Sequence, residues 1–205
     1  MEIEVKKSTQ LVDYNIALKF LEERVKDVIN EKKPELLWIL EHKAIFTAGT
    51  NFRESEILNK KIKVIKTSRG GKITYHGPGQ IIVYFVLNLN KRQKDIRKLI
   101  KNIEKCIILT LKDFKIESYN DHKNIGIWVN VNNEAKKVAA IGIRVKRWIA
   151  FHGFSINLSN NLEVYKNIVP CGIYNKEITN LCSIKKNSYK YINQKIIKNF
   201  LEIFK

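Results

Sequence analysis

The junction between a glycine-rich dodecapeptide and an apolar run constrains this chain more than any other feature. Arg69-Gly70-Gly71-Lys72-Ile73-Thr74-Tyr75-His76-Gly77-Pro78-Gly79-Gln80 leads directly into Ile81-Ile82-Val83-Tyr84-Phe85-Val86-Leu87. The dodecapeptide holds four of the nine glycines, one of the three prolines and one of the four histidines. Glycine permits positive φ and lets another molecule approach the backbone closely. The run that follows is β-branched and aromatic, which predicts a buried strand. A hairpin would account for the glycines alone. It does not account for Arg69, Tyr75 and His76, so the loop is expected to form part of a site.

The rest of the chain predicts helices separated by runs of strands. Leu11, Tyr14, Leu18, Leu21, Val25 and Val28 recur at helical spacing, predicting an amphipathic helix over about Thr9 to Asn30 with Ser8 or Thr9 as N-cap. Leu36 to Leu40 and Ile62 to Lys66 read as strands. Ile96, Leu99, Ile100, Ile103 and Ile107 mark a second helix that carries Cys106 beside its apolar stripe. A strand-rich stretch follows from Ile116 to Leu158, and Ile192, Ile196, Ile197 and Phe200 mark a C-terminal helix. This order predicts an α+β fold. Residues 1–205 are expected to form a single domain, with at most a small C-terminal lobe.

Composition bounds the function classes. No apolar run approaches the roughly 18 residues of a membrane helix, and the first residues lack a signal peptide's apolar region. Cys106, Cys171 and Cys182 show neither a disulfide framework nor CxxC spacing, so a reducing cytoplasm is the expected compartment. No His/Cys/Asp/Glu cluster has metal-ligand spacing, and no metal is expected. The formal charge of +18 fits an acidic partner or nucleic acid. The lysines are spread through the chain, however, and no basic-aromatic signature supports nucleic acid. A general compositional bias explains the spread equally well.

Three separated segments carry a family resemblance. Arg69 to Gln80 resembles the RGG-x-x-TYHGPGQ signature of the lipoyl(octanoyl) transferases. Lys137-Val138-Ala139-Ala140-Ile141-Gly142-Ile143-Arg144-Val145 is similar to that family's K-x-AAIG-x-RV segment. His152-Gly153-Phe154 and Asn157 follow it, and Ile168-Val169-Pro170-Cys171-Gly172-Ile173 resembles the I-x-PCGI block. Weaker likeness runs through Leu37-Trp38, Glu41-His42, Thr47 to Thr50 and Gly126 to Val129. The resemblance implies a biotin/lipoate-ligase-like (class II synthetase-like) fold of mixed sheets packed with helices. It implies octanoyl transfer from octanoyl-acyl carrier protein to a lysine of lipoyl domains. Those domains belong to 2-oxoacid dehydrogenase complexes and the glycine cleavage H protein. Neither ATP nor a metal cofactor, and neither nucleic acid nor membrane, is part of that expectation.

The resemblance also assigns roles. Cys171 would be the nucleophile; independently, Pro170 and Gly172 place its thiol on a turn. Lys137 would favour its thiolate, since an ammonium nearby stabilises the charged sulfur. In an unbroken strand, Lys137 would lie in phase with Ala139, Ile141 and Ile143, leaving Lys136 pointing away into solvent. Arg69, Gly70, Gly71, Lys72, Ile73, Thr74, Tyr75 and His76 would form the substrate-binding loop. Ala140, Ile141 and Gly142, with Gly153, Phe154 and Ser155, would line the acyl tunnel opposite it. His152 is expected to be a structural hydrogen-bonder, His42 and His122 to lie at the surface, and Cys106 and Cys182 to be buried, inert thiols.

The chain departs from the family at four places. Lys72 and Ile73 stand where Gln and Val are frequent, Ser155 where Ala is common, and Glu177 to Leu181 only approximates G-V-T-S-L. The main competing reading is an ATP-dependent lipoate or biotin ligase on the same fold. Such ligases carry R-R-x-S-G-G-G-x-x-x-H in this loop and need no cysteine nucleophile. Arg69-Gly70-Gly71 lacks the third adjacent glycine.

Overall fold

The structure, a computed structural model, describes residues 2–170 and 177–205. Strand β1 (Ile3–Lys7) leads into helix α1 (Tyr14–Ile29), then β2 (Glu35–Leu40) and β3 (Ile45–Ala48). Next come β4 (Val64–Lys66), β5 (Ile73–His76), β6 (Gln80–Asn88) and α2 (Ile96–Asp113). Strands β7 (Tyr119–Asn120), β8 (Ile127–Val131), β9 (Glu134–Lys146) and β10 (Ile149–Asn157) precede α3 (Leu181–Ile184) and α4 (Ile192–Phe204). The large sheet has the order β1-β2-β6-β10-β9-β8-β7, and a small sheet has the order β4-β3-β5. The α+β class is as the sequence predicts.

Strand β6 is central because every one of its residues is buried. Ile81, Val83, Phe85 and Leu87 face one core with α2 and α4, while Ile82, Tyr84 and Val86 face another with α1. A strand covered on both faces reads as a continuous apolar run rather than an alternating one. β1 pairs in parallel with β2, and α1 supplies the crossover that this pairing needs. The other pairings in the large sheet are antiparallel. Helix α4 packs against α2 in the main core, with Ile196 and Phe200 beside Ile103 and Ile107. Burying each such side chain stabilises the fold by about 2 kcal/mol.

Helix α1 starts later than its periodicity predicts. Asp13 is the N-cap, accepting from the backbone N–H of Asn15 and Ile16. Ser8 is used elsewhere: its hydroxyl accepts from the Trp38 indole at 3.0 Å, and its N–H donates to Ile39 O. Leu11 falls outside the helix and is exposed. Cys106 is fully buried on α2, and desolvation pushes its thiol up to about 12. Cys182 departs from expectation, being exposed on the short α3. Among the described residues no helix is long and apolar enough to cross a membrane.

A nearly buried ion pair closes the far end of the sheet. Glu35 pairs with Arg92 through both carboxylate oxygens and accepts the Asn88 N–H at 2.6 Å. The same guanidinium donates to the Phe204 carbonyl at 2.6 Å, so it ties β2, β6 and α4 together. Glu35→Ala would leave Arg92 without its anion. The expected cost is about 3 kcal/mol in urea-induced unfolding, with Glu35→Gln milder. A change within 0.5 kcal/mol, roughly that of a neutral surface substitution, would show the pair to be dispensable.

Candidate active site

The dodecapeptide is not a hairpin. Its first part links β4 to β5 in the small sheet, and Gly77-Pro78-Gly79 then carries the chain into the centre of the large sheet. The loop therefore overhangs the large sheet on the face that α1 covers only in part. Between loop and sheet lies a cavity of about 500 Å³, within the range of small-ligand sites.

Small residues form its floor. Gly142 of β9 stands opposite Gly153 of β10, and Ala140 stands opposite Ser155. Ile82 and Tyr84 of β6 extend the floor, with Ile141, Ile143 and Phe154 at its edge. Arg69, Gly70, Gly71, Lys72, Ile73, Thr74 and His76 form the roof. Gly70 N–H donates to Ile143 O at 3.0 Å, fastening roof to floor. Gly49 holds the roof from behind, since a Cβ there would stand 2.3 Å from Gly71 O. Arg69 is buried, and its guanidinium donates to Thr47 O and Oγ1 at 2.8 and 2.9 Å. It lines the cavity while anchoring the loop to β3. Lys72 pairs with buried Glu56 at 2.8 Å. Tyr75 lies elsewhere: its ring packs between Phe46 and Tyr165 on the opposite side of the small sheet from the cavity wall.

Lys137 reaches the cavity by a route that strand alternation does not predict. Ala139 pairs with Ile127, but Lys137 pairs with the adjacent Trp128, so Val138 is an extra residue in β9. This bulge puts Val138 and Ala139 together in the core under α2. Lys137 then joins the cavity-facing set of Ala140 and Gly142. In an unbroken strand its phase with Ala139 would have turned it toward the core. Bulges re-aim side chains in this way. Lys137 is 5% exposed, and among the described residues no carboxylate pairs with it. Lys136 is not simply solvated, because it pairs with Glu134 and Glu177. The glutamate that departs from the family pattern thus has a partner on β9.

Cys171 lies outside the described residues, but both of its flanks are anchored. Before it, Val169 N–H donates to Glu56 O at 2.7 Å, and Ile168 bridges Ile57. After it, Lys137 N–H donates to Glu177 O at 2.9 Å, and Thr179 N–H donates to Lys137 O at 3.0 Å. One flank is thus tied to the segment that carries Lys72's partner, the other to Lys137 itself.

His42, His76 and His152 are buried in and beside the cavity wall. His76 Nδ1 is 2.7 Å from Gln80 Oε1, a contact that requires the proton on Nδ1. Gln80 donates in turn to Asn157 Oδ1 at 2.8 Å, and Asn157 donates to Thr179 O at 3.1 Å. Burial, with His42 and Arg69 nearby, pushes His76 down to about 3. His42 is fully buried, contrary to its expected surface position. Its Nδ1–H donates to Val12 O, and its Nε2 accepts the Tyr84 hydroxyl, both at 2.8 Å. His152, at φ 68, leaves the regular strand geometry and lines the cavity. The expectation of a structural hydrogen-bonder is not met at Nε2, which has no partner among the described residues. Desolvation lowers it to about 3 as well. His122 is exposed, as expected.

Sequence reasoning missed Ile82, Tyr84 and Lys123-Asn124-Ile125 as cavity residues. Ile82 and Tyr84 were hidden in an apolar run whose two faces are indistinguishable by composition. Among the described residues, no group of three or more His, Cys, Asp or Glu could hold a metal ion.

This fold and site define a class. Residues 13–204 match the family model of the lipoyl protein ligase A/B catalytic domain. The lipoate protein ligase of a bi-partite archaeal system from Thermoplasma acidophilum superposes with a TM-score of 0.74 at 13% identity, covering 99% of this chain and 84% of that one. The fold is therefore the biotin/lipoate-ligase-like one. Two relatives narrow the comparison. An octanoyltransferase from Anaplasma phagocytophilum (strain HZ) is 40% identical over 207 residues, 100% of both chains. Another, from Anaplasma marginale (strain Florida), is 42% identical over 181 residues, 87% of this chain and 85% of that protein. The chain belongs to the lipoyl protein ligase A/B catalytic-domain family, on its octanoyltransferase branch. It is an acyltransferase.

Proposed function

We propose that this protein moves an octanoyl group from octanoyl-acyl carrier protein to a lysine of lipoyl domains, through a thioester on Cys171. The observation that carries the reading is Lys137, a buried lysine on the cavity wall whose backbone is bonded to the segment following Cys171. An ordinary thiol, with pKa about 8.5, is only a few per cent thiolate at neutral pH. An ammonium held close by in a desolvated wall raises that fraction.

The Cys171 thiolate attacks the donor's thioester carbonyl, and the carrier thiol leaves and takes up a proton. A neutral amine of the target lysine then attacks the acyl-enzyme. Its nitrogen forms the amide, and the Cys171 sulfur departs as thiolate. Lys137, neutral once its ammonium has protonated the departing carrier thiolate, and the Cys171 thiolate are the groups available to take the proton the amine loses. The first exchange is nearly balanced in energy and the second is downhill, so no ATP enters. The floor of Gly142, Gly153, Ala140 and Ser155 would leave room for an eight-carbon chain, and the glycine-rich roof would supply amides to its carbonyl. The recipients are the lipoyl domains of 2-oxoacid dehydrogenase complexes and the glycine cleavage H protein. Such proteins are typically acidic, and the +18 charge would speed their encounter.

Intact-protein mass spectrometry after mixing with octanoyl-acyl carrier protein, without ATP, tests this reading. A single octanoyl adduct is expected, cleaved by hydroxylamine and absent from Cys171→Ala. No adduct on folded protein, with transfer appearing only when ATP and free octanoate are supplied, would establish a ligase instead.

A further inference from the structure

We propose that β8 and the glycine before it position the reactive lysine: the indole face of Trp128 holds the Lys137 ammonium without neutralising it, and Gly126 keeps open the space it occupies. The proposal rests on the reading of Lys137 and Cys171 above and adds the residues that make that lysine usable.

Lys137 Nζ lies 5.2 Å from the Trp128 ring centroid. Both residues are buried, at 5% and 1% exposure. The ring cannot swing freely, because its Nε1–H donates to Asn124 O at 2.9 Å. Asn124 is fixed in turn by Asp121, to which its side-chain amide donates at 2.7 Å. The bulge at Val138 brings the lysine directly opposite this ring. Two residues before Trp128, Gly126 sits at φ 137. A Cβ there would stand 2.4 Å from Lys137 Cε and 2.7 Å from Ala139 O. The lysine stem therefore passes through the volume that the glycine leaves empty.

The choice of an aromatic face has a physical logic. A buried ammonium needs a compensating partner. A carboxylate would supply one, but it would also cancel the field that a thiolate needs. The negative face of an indole attracts the cation when both are desolvated, yet carries no net charge and accepts no proton. Its attraction holds the stem while leaving the ammonium's charge available on the cavity side. In this scheme Trp128 and Gly126 are positioning residues. They act through Lys137.

The test uses the full chain and three readouts: octanoyl transfer, the pH profile of Cys171 alkylation by iodoacetamide, and melting temperature. Trp128→Leu removes the ring face and Trp128→Phe keeps one. Trp128→Leu is expected to lower kcat about tenfold relative to Trp128→Phe and to move the alkylation midpoint to higher pH. In a Lys137→Ala background the two variants should differ by less than twofold, because there is no ammonium left to place. Equal kcat for Leu and Phe, or an undiminished difference without Lys137, overturns the positioning role. Replacing tryptophan biosynthetically by mono- and trifluorotryptophan keeps shape and N–H while weakening the ring face, which removes folding as a confounder. Here kcat should fall stepwise with fluorine in the natural chain and stay level in Lys137→Ala; a flat response in both refutes the proposal. Lys137→Ala transferring at the natural rate would overturn the underlying dyad, an outcome separate from indifference to Trp128.

Discussion

Lys137→Met is expected to lower octanoyl transfer by about 10²–10⁴-fold while leaving the melting temperature unchanged or higher. The rate loss is the usual range for removing a group that stabilises a developing charge or manages a proton in the transition state. The stability result comes from the other side of the same arrangement. Lys137 is buried, and among the described residues its ammonium faces the Trp128 ring and no carboxylate, a weaker compensation for burial than a hydrogen-bonded ion pair. Methionine matches the unbranched stem and fills the same channel beside Gly126 and Trp128 without a charge to desolvate. Steady-state transfer and thermal unfolding on the same preparation provide the check. Transfer within tenfold of the natural enzyme would remove Lys137 from the chemistry. A large fall in melting temperature would make it a structural residue instead.

Acidification from pH 7 to pH 5 is expected to destabilise the fold by about 4 kcal/mol through His76 and His152. Each imidazole takes up a proton near pH 6.5 in the unfolded chain. In the folded protein each resists protonation down to about 3, because burial disfavours the cation and Arg69 repels it. Between those values the unfolded state binds more protons, so stability is full above about 6.5 and declines as pH falls toward 3. At pH 5 the loss is about 2 kcal/mol per histidine. His42, lowered in the same direction by burial, adds to the trend. Urea unfolding at pH 7, 6 and 5 measures it, and His152→Phe should flatten the slope. A stability independent of pH across this range would mean that these rings are hydrated or charged in the folded state.

Much of the architecture was legible in the sequence for local reasons. The stripe of Leu99, Ile103 and Ile107 buries one face of its helix, and the run Ile81 to Leu87 buries both faces of its strand, so each announces its element without reference to distant partners. The glycine loop was legible because Gly70, Gly71 and Gly79 in one short stretch answer backbone needs that other residues do not meet. Its neighbours Arg69, Thr74 and His76, together with Lys137, Ala140, Gly142, Gly153 and Ser155, do meet around one cavity.

What remained hidden was every property set by a distant partner. Tyr75 and His76 are adjacent, yet one packs under the small sheet and the other beside the cavity. His42 is polar and isolated in the chain, and is buried because Val12 O and the Tyr84 hydroxyl satisfy it. Cys106 and Cys182 differ only in what covers them. Lys137 is the sharpest case. Its identity and spacing were written in the chain, but the face it presents depends on one unpaired residue, Val138, in the register between β9 and β8. A strand's side-chain period is two, so a single extra residue reverses every assignment beyond it. Spacing along the chain determined which residues were available for the site. The pairing of strands far apart in sequence decided which way the decisive one points.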